Sequence, residues 1–270
     1  MAETFTTLER DGWSRNAGAY ANVILVMTSQ AFVPVLDTFG DLSGKRLLDI
    51  ASGTGHFAQA AFDRGALVEG LDISADMVAL AKRRFPDIVF KLGSAESLPY
   101  PDGSFDAVTC CFGLLHMERP EAVIAEIHRV LRSGGRFTYT TWQDGAHGGR
   151  MMDMMLKVFQ KHGNMDVGLP PSPPMFRFSD KDLCNTVLSD AGFTQIKSRD
   201  LDIRWRAKRA EDIETLLKEG MVRIRLVFER QTPAVQETIL RALHEETRAF
   251  SGPNGVEIPN AAFLATALKP

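Results

Sequence analysis

Two hydrophobic rhythms alternate along this 270-residue chain. Short, mostly apolar runs stand at 46–50, 66–71, 88–92 and 105–112, as in strands buried on both faces, and a fifth, more polar, run at 136–141 is also expected to be a strand. Between them the apolar positions step by three and four, as on one face of a helix. One such stretch runs from about His56 to Arg64 and stops at Gly65. A second is capped by Ser74, carries Met77, Val78, Leu80 and Ala81, and is closed off by Pro86. A third starts at Pro120 and aligns Val123, Ile124, Ile127, Val130 and Leu131 on one face. Ser133-Gly134-Gly135 turns the chain into the fifth run. This alternation predicts an α/β fold, a Rossmann-like doubly wound and mostly parallel sheet with helices on both faces.

The flanks are less regular. Over residues 1–40, Val23, Leu25 to Met27, Ala31, Phe32, Val35, Leu36 and Phe39 fit an amphipathic helical region, interrupted or started afresh at Pro34. It is either a cap packed on the core or a lid that brings Tyr20 into a pocket. Residues 150–162 read as a helix with Met151, Met152, Met154 and Met155 crowded into one turn. The long loop Gly163 to Phe178, rich in proline, suits a lid or binding loop. Ser179 with Asp182 predicts the start of a helix ending at Gly192. A strand is expected over 194–204, helices over about 210–229 and 233–250, and a last strand over 261–269. The organisation predicted is a helical cap at 1–40, a cofactor-binding core at 41–145, a lid insert at 146–180, and the rest of the core at 181–270, with a helical insertion at about 210–250.

Composition narrows the function classes. A net charge of −3, with 44% hydrophobic and 24% charged residues, is that of a soluble globular enzyme and points to neither nucleic acid nor an anionic membrane. The basic residues from Lys197 to Arg209 are interrupted by Asp200 and Asp202, as on a solvated strand face. No apolar stretch is long enough to span a bilayer, and no basic, then apolar, leader opens the chain. Three cysteines, two of them adjacent, cannot form a disulfide framework, so a reducing cytoplasm is expected. No His, Cys and Asp spacing suggests a metal. Cys110 and Cys111 should point to opposite faces of a buried strand, so at most one could reach a site.

In such sheets ligands bind at the carboxyl ends of the strands. The turn Ala51-Ser52-Gly53-Thr54-Gly55, Asp72, Gly93–Glu96 and Phe112–His116 all fall there. The small residues let a ligand lie against backbone N–H groups. Asp49, one turn earlier, would repel a phosphate but suit an amine.

Together these segments resemble the class I S-adenosylmethionine-dependent methyltransferases, and in particular the small-molecule group that includes the ubiquinone and menaquinone biosynthesis enzymes. The likeness rests on Asp49 with Gly53-Thr54-Gly55, on Asp72, on Gly93-Ser94-Ala95-Glu96 before Leu98-Pro99-Tyr100-Pro101-Asp102, on Phe112-Gly113-Leu114-Leu115-His116, and on Arg129 to Arg136. It is strong over about residues 40–142. It implies an antiparallel closing strand pair and S-adenosylmethionine as cofactor. It further implies that Asp49, Ala51, Gly53 and Gly55 hold the methionine part, Asp72 the ribose hydroxyls, Ile73 and Met77 the adenine faces, and Ser94, Ala95 and Glu96 the adenine edge, with Phe112 alongside. Ala51 stands where the family's first glycine usually is, a mild narrowing of the turn, and Ser94 where an aspartate is usual.

The implied reaction is methyl transfer to a small organic acceptor by in-line displacement, in which the protein aligns the reactants and keeps the cavity dry. His116 is the candidate base, or else only shapes the pocket; His147 and His162 lie in the lid region, and His128 should be solvated. Tyr20, His116, Trp142, Met155 and Phe176 are the candidate acceptor-binding residues. Gly53-x-Gly55-x-x-Ala58 alone also satisfies a dinucleotide fingerprint. A nicotinamide oxidoreductase, or a protein that uses the cofactor without methylating, such as a cyclase, are therefore the alternatives.

Overall fold

A computed structural model describes residues 4–270; residues 1–3 of the cap expected over 1–40 lie outside the described residues. The five runs form β1 (Arg46–Ile50), β2 (Leu67–Asp72), β3 (Val89–Leu92), β4 (Phe105–Cys111) and β5 (Leu131–Trp142). Further on come β6 (Thr194–Leu201), β7 (Arg204–Ala207), β8 (Ser251–Gly252), β9 (Gly255–Pro259) and β10 (Ala262–Leu268). Seven of them build one sheet in the order β3-β2-β1-β4-β5-β10-β6. The first five strands pair in parallel, and β10 runs antiparallel to both β5 and β6. The strand order reverses direction between β1 and β4, which opens a crevice at their carboxyl ends.

Alternation along each strand sends side chains to two cores. Leu47 packs with Phe57, Ala58 and Val78 on one side, while Leu48 and Ile50 pack with Val108, Ile124 and Ile127 on the other. The helices are α1 (Phe5–Asn16), α2 (Tyr20–Val23), α3 (Leu25–Thr28), α4 (Phe32–Phe39), α5 (His56–Phe62), α6 (Ala75–Arg84), α7 (Pro120–Val130), α8 (Arg150–His162), α9 (Lys181–Asp190), α10 (Ile213–Thr215), α11 (Arg223–Glu229) and α12 (Pro233–Arg248).

Several local expectations are corrected. Pro34 does not interrupt α4, because it sits in the first turn, where a missing N–H costs nothing. α9 is capped not by Ser179 but by Asp180, whose Oδ1 accepts from the Asp182 and Leu183 backbone N–H groups at 2.9 Å each. The strand expected over 194–204 is two strands, broken at Asp202–Ile203, where the chain leaves the large sheet for a small one of order β7-β9-β8. The stretch 210–229 is not one helix: a π-helical turn at Leu216–Gly220 is followed by an extended Met221 before α11. His128 is half-buried edge-on against Phe193 (ring centroids 5.0 Å apart) rather than solvated, and burial lowers its pKa.

Among the described residues no helix is long and apolar enough to cross a membrane, and no cluster of three or more His, Cys, Asp or Glu could hold a metal ion.

Candidate cofactor and acceptor cavity

A cavity of about 450 Å³ opens at the carboxyl ends of β1, β2, β4 and β5. Its floor is the β1–α5 turn with Asp72 and Phe112; its roof comes from α1, α2, the 163–176 loop and α11. The segments read as converging from the sequence do meet here: Ala51, Gly53, Asp72, Ile73, Met77, Ser94, Ala95, Glu96, Phe112 and His116 all line the wall, as do Tyr20 and Trp142.

The turn is held from β2. Asp72 Oδ2 accepts from the Gly53 N–H at 2.8 Å, and its Oδ1 accepts from the Ser74 N–H at 2.9 Å. Ser74 in turn caps α6. Asp49 lies just behind, 1% exposed, and its Oδ2 has no hydrogen-bond partner. Desolvation and the nearby Asp72 push the Asp49 carboxyl well above the usual carboxylate range, and burial raises Asp72 also. The Tyr20 ring lies against the turn at Gly53, where a Cβ would come 3.9 Å from Tyr20 Cζ, and burial pushes its hydroxyl up to about 12.

Gly55, expected to touch the cofactor, does something else: it caps α5 at φ 86°, a Cβ there would meet Phe90 at 2.7 Å, and it does not line the cavity. Glu96 lines the wall, and its carboxylate also accepts from the Arg119 N–H at 3.1 Å and the Arg119 Nε at 2.8 Å. Ala51 is not a mild departure from glycine: at φ 55° it holds the left-handed conformation that a Cβ disfavours. Phe112 shares that strain at φ 55° and stacks on Trp142 with centroids 4.1 Å apart. Such outliers persist only where the surroundings over-determine them, and both flank the cavity.

The rest of the cavity wall is mostly apolar. Helix α8 presents Met151, Met152 and Leu156, whereas Met155 turns into the core at 0% exposure and does not reach the cavity. The loop contributes Pro173, Pro174 and Met175; Phe176 packs against the core instead. Met27, Met117, Met165 and Met221 complete a wall unusually rich in thioethers, which adapt to irregular ligands. Of the two adjacent cysteines only Cys111 lines the cavity, and burial pushes its thiol up to about 12. His147 is exposed and bonded to Asp144, and neither it nor His162 is on the wall.

The residues that the apolar pattern missed sit on α1. Its buried face is Phe5, Leu8, Glu9, Gly12 and Asn16, helical in spacing but polar at Glu9 and Asn16, so no apolar stripe announces it. This helix closes the cavity through three contacts: Thr6 Oγ1 donates to Glu118 at 2.6 Å, Ser14 bonds to Ser74 at 2.9 Å, and Glu9 meets His116.

The residues fit S-adenosylmethionine. A buried, unpartnered carboxylate oxygen beside a glycine cradle suits a cationic amine, and a second acid next to it disfavours a pyrophosphate.

Comparison with known proteins agrees. A family model described as a methyltransferase domain matches residues 48–139. A demethylmenaquinone methyltransferase of Renibacterium salmoninarum is 45% identical over 102 residues, 38% of this chain and 43% of that one. One from Paenarthrobacter aurescens is 33% identical over 175 residues, 62% of this chain and 69% of that one. The alignment to the first thus spans less than half of that relative's length. In fold, the YcgJ protein of Bacillus subtilis superposes with a TM-score of 0.59 at 19% identity, over 89% of this chain and 98% of that one. With the cradle, the paired acids and the sheet order in place, the chain belongs to the class I S-adenosylmethionine-dependent methyltransferase family.

Proposed function

We propose that this protein transfers a methyl group from S-adenosylmethionine to a small, largely apolar organic acceptor. The observation that carries the reading is the orphaned Asp49 Oδ2, buried next to Asp72. A carboxylate oxygen left without a partner at that depth is costly unless a ligand brings a positive charge to it. Asp49 would hold the amine, Asp72 the ribose hydroxyls, Ile73 and Met77 the adenine faces, and Ser94 with Ala95 its edge. When bound, S-adenosylmethionine supplies a methyl group activated by a sulfonium. The chain's residues orient the acceptor and exclude water: Phe112 and Trp142 form a flat stacked wall, and the methionines adapt around the acceptor. Relatives named demethylmenaquinone methyltransferases support an acceptor with a ring. Three free cysteines suit a reducing cytoplasm.

Calorimetry with S-adenosylhomocysteine tests the site. Asp72→Ala should weaken binding by about 1–3 kcal/mol, the cost of removing a charged hydrogen-bond partner. NAD(P)H run in parallel should leave the melting temperature unchanged, whereas S-adenosylhomocysteine at 100 times its Kd should add about 2.7 kcal/mol of stability. Stabilisation by the dinucleotide instead would turn the reading to an oxidoreductase.

A further inference from the structure

On the wall of the cavity, three elements far apart in the chain present a histidine, a carboxylate and a guanidinium. His116 Nδ1 lies 2.8 Å from Glu9 Oε2, and the Trp13 indole N–H donates to the same oxygen at 3.1 Å. Glu9 is buried, so its carboxylate is shielded from water and held by two donors. Trp13 also packs edge-on against the His116 ring, with centroids 5.0 Å apart, which fixes the ring's orientation. A carboxylate accepts only, so Nδ1 must carry the proton. In the neutral tautomer the lone pair is then on Nε2, which has no hydrogen-bond partner among the described residues and belongs to a side chain on the cavity wall. The third group is Arg223 on α11, which carries the one Lys or Arg side chain on the wall among the described residues. Its Nη1 donates to the Pro170 carbonyl at 2.9 Å; among the described residues no carboxylate forms an ion pair with it, although Glu9 is near enough to act on its charge.

We propose that the acceptor is a weakly acidic hydroxyl compound, a phenol or enol, that gives its proton to His116 Nε2 with Glu9 as the positioning residue, and whose oxygen anion is stabilised by Arg223. The assignment rests on the methyl-transfer reading. It balances without a further reactant. The acceptor O–H bond breaks, its proton joins the Nε2 lone pair, and the electron pair stays on oxygen as the nucleophile. The imidazolium charge is matched by Glu9 and the oxyanion by Arg223, so a neutral acceptor enters and no net charge is created in an apolar cavity. An apolar wall elsewhere suits the ring that makes such a hydroxyl acidic.

The test uses 4-nitrophenol, whose ionised form absorbs at longer wavelength, bound to the full protein saturated with S-adenosylhomocysteine, at a pH where the free phenol is mostly neutral. The wild-type protein should show the phenolate band. Glu9→Gln, His116→Ala and Arg223→Met should each lower the ratio of ionised to neutral bound probe at least tenfold, with S-adenosylhomocysteine affinity kept as the check on folding. Independently, ¹⁵N NMR of labelled histidine should find the His116 proton on Nδ1 in the wild type. A probe that fails to bind or binds neutral, or a proton on Nε2, overturns the assignment. Absence of S-adenosylhomocysteine binding would instead overturn the methyl-transfer reading.

Discussion

Asp49→Asn should make the ligand-free protein more stable and the liganded one weaker. In the folded chain the Asp49 carboxyl is buried, lacks a partner at Oδ2 and lies beside Asp72, and these effects raise its pKa well above the usual value. A group with a raised folded-state pKa binds its proton more tightly in the folded than in the unfolded chain. Stability is therefore undiminished below the unfolded value of ~4, falls as pH rises from there to the folded value, and stays reduced above it. The amide has no charge to bury. The amide still leaves a buried polar group in that place, so the gain is the cost of burying the charge, about 1–3 kcal/mol at a pH where the carboxyl would be ionised. At roughly 2–4 °C per kcal/mol for a chain near this size, the rise in Tm is readily measured. The slope of Tm against pH between mildly acidic and neutral conditions should flatten in the variant, and Asp72 should account for what remains. Binding should change in the other direction: losing a charged partner for the amine costs about 1.5–3 kcal/mol, roughly tenfold to a hundredfold in the Kd of S-adenosylhomocysteine. Differential scanning fluorimetry across pH and calorimetry at pH 7.5 give both numbers. An apo variant that melts at or below the wild-type temperature, together with unchanged affinity, would refute the view that Asp49 is held for a ligand's positive charge.

Ala51→Gly should stabilise the protein by about 1 kcal/mol, because the backbone at φ 55° then carries no Cβ penalty; an unchanged or lower Tm would show that the surroundings and not the residue set that conformation. Gly12→Ala should loosen α1, since a Cβ there would overlap Val222, at a cost of about 1–3 kcal/mol; faster hydrogen exchange confined to residues 5–16 is the expected signature. Iodoacetamide at mildly alkaline pH should leave the native protein unmodified and label it on unfolding, because burial raises the thiols of Cys110, Cys111 and Cys184 above their ordinary range; rapid labelling of Cys111 in the native state would contradict that.

What the sequence by itself determined is the parallel sheet and the side of the cavity formed by the β1–α5 turn and Asp72. Both are written in local patterns: the five runs set β1 to β5, Gly53 and Ser74 mark turns and caps, and Asp49 and Asp72 stand at strand ends, which parallel topology gathers on one edge. Tertiary structure alone decided the apolar side of the cavity, where we place the acceptor. Helix α1 escaped the apolar pattern because its inward face carries Glu9 and Asn16, whose partners, His116 and the Met221 carbonyl, are 107 and 205 residues away. Gly55 looks like a cofactor ligand in the sequence, yet Phe90 packs against it. Met155 and Phe176 differ from the wall residues Leu156 and Met175 by one position, and which of two adjacent side chains faces a cavity depends on how a helix or loop is rotated against its neighbours, a quantity set by packing and not by local propensity.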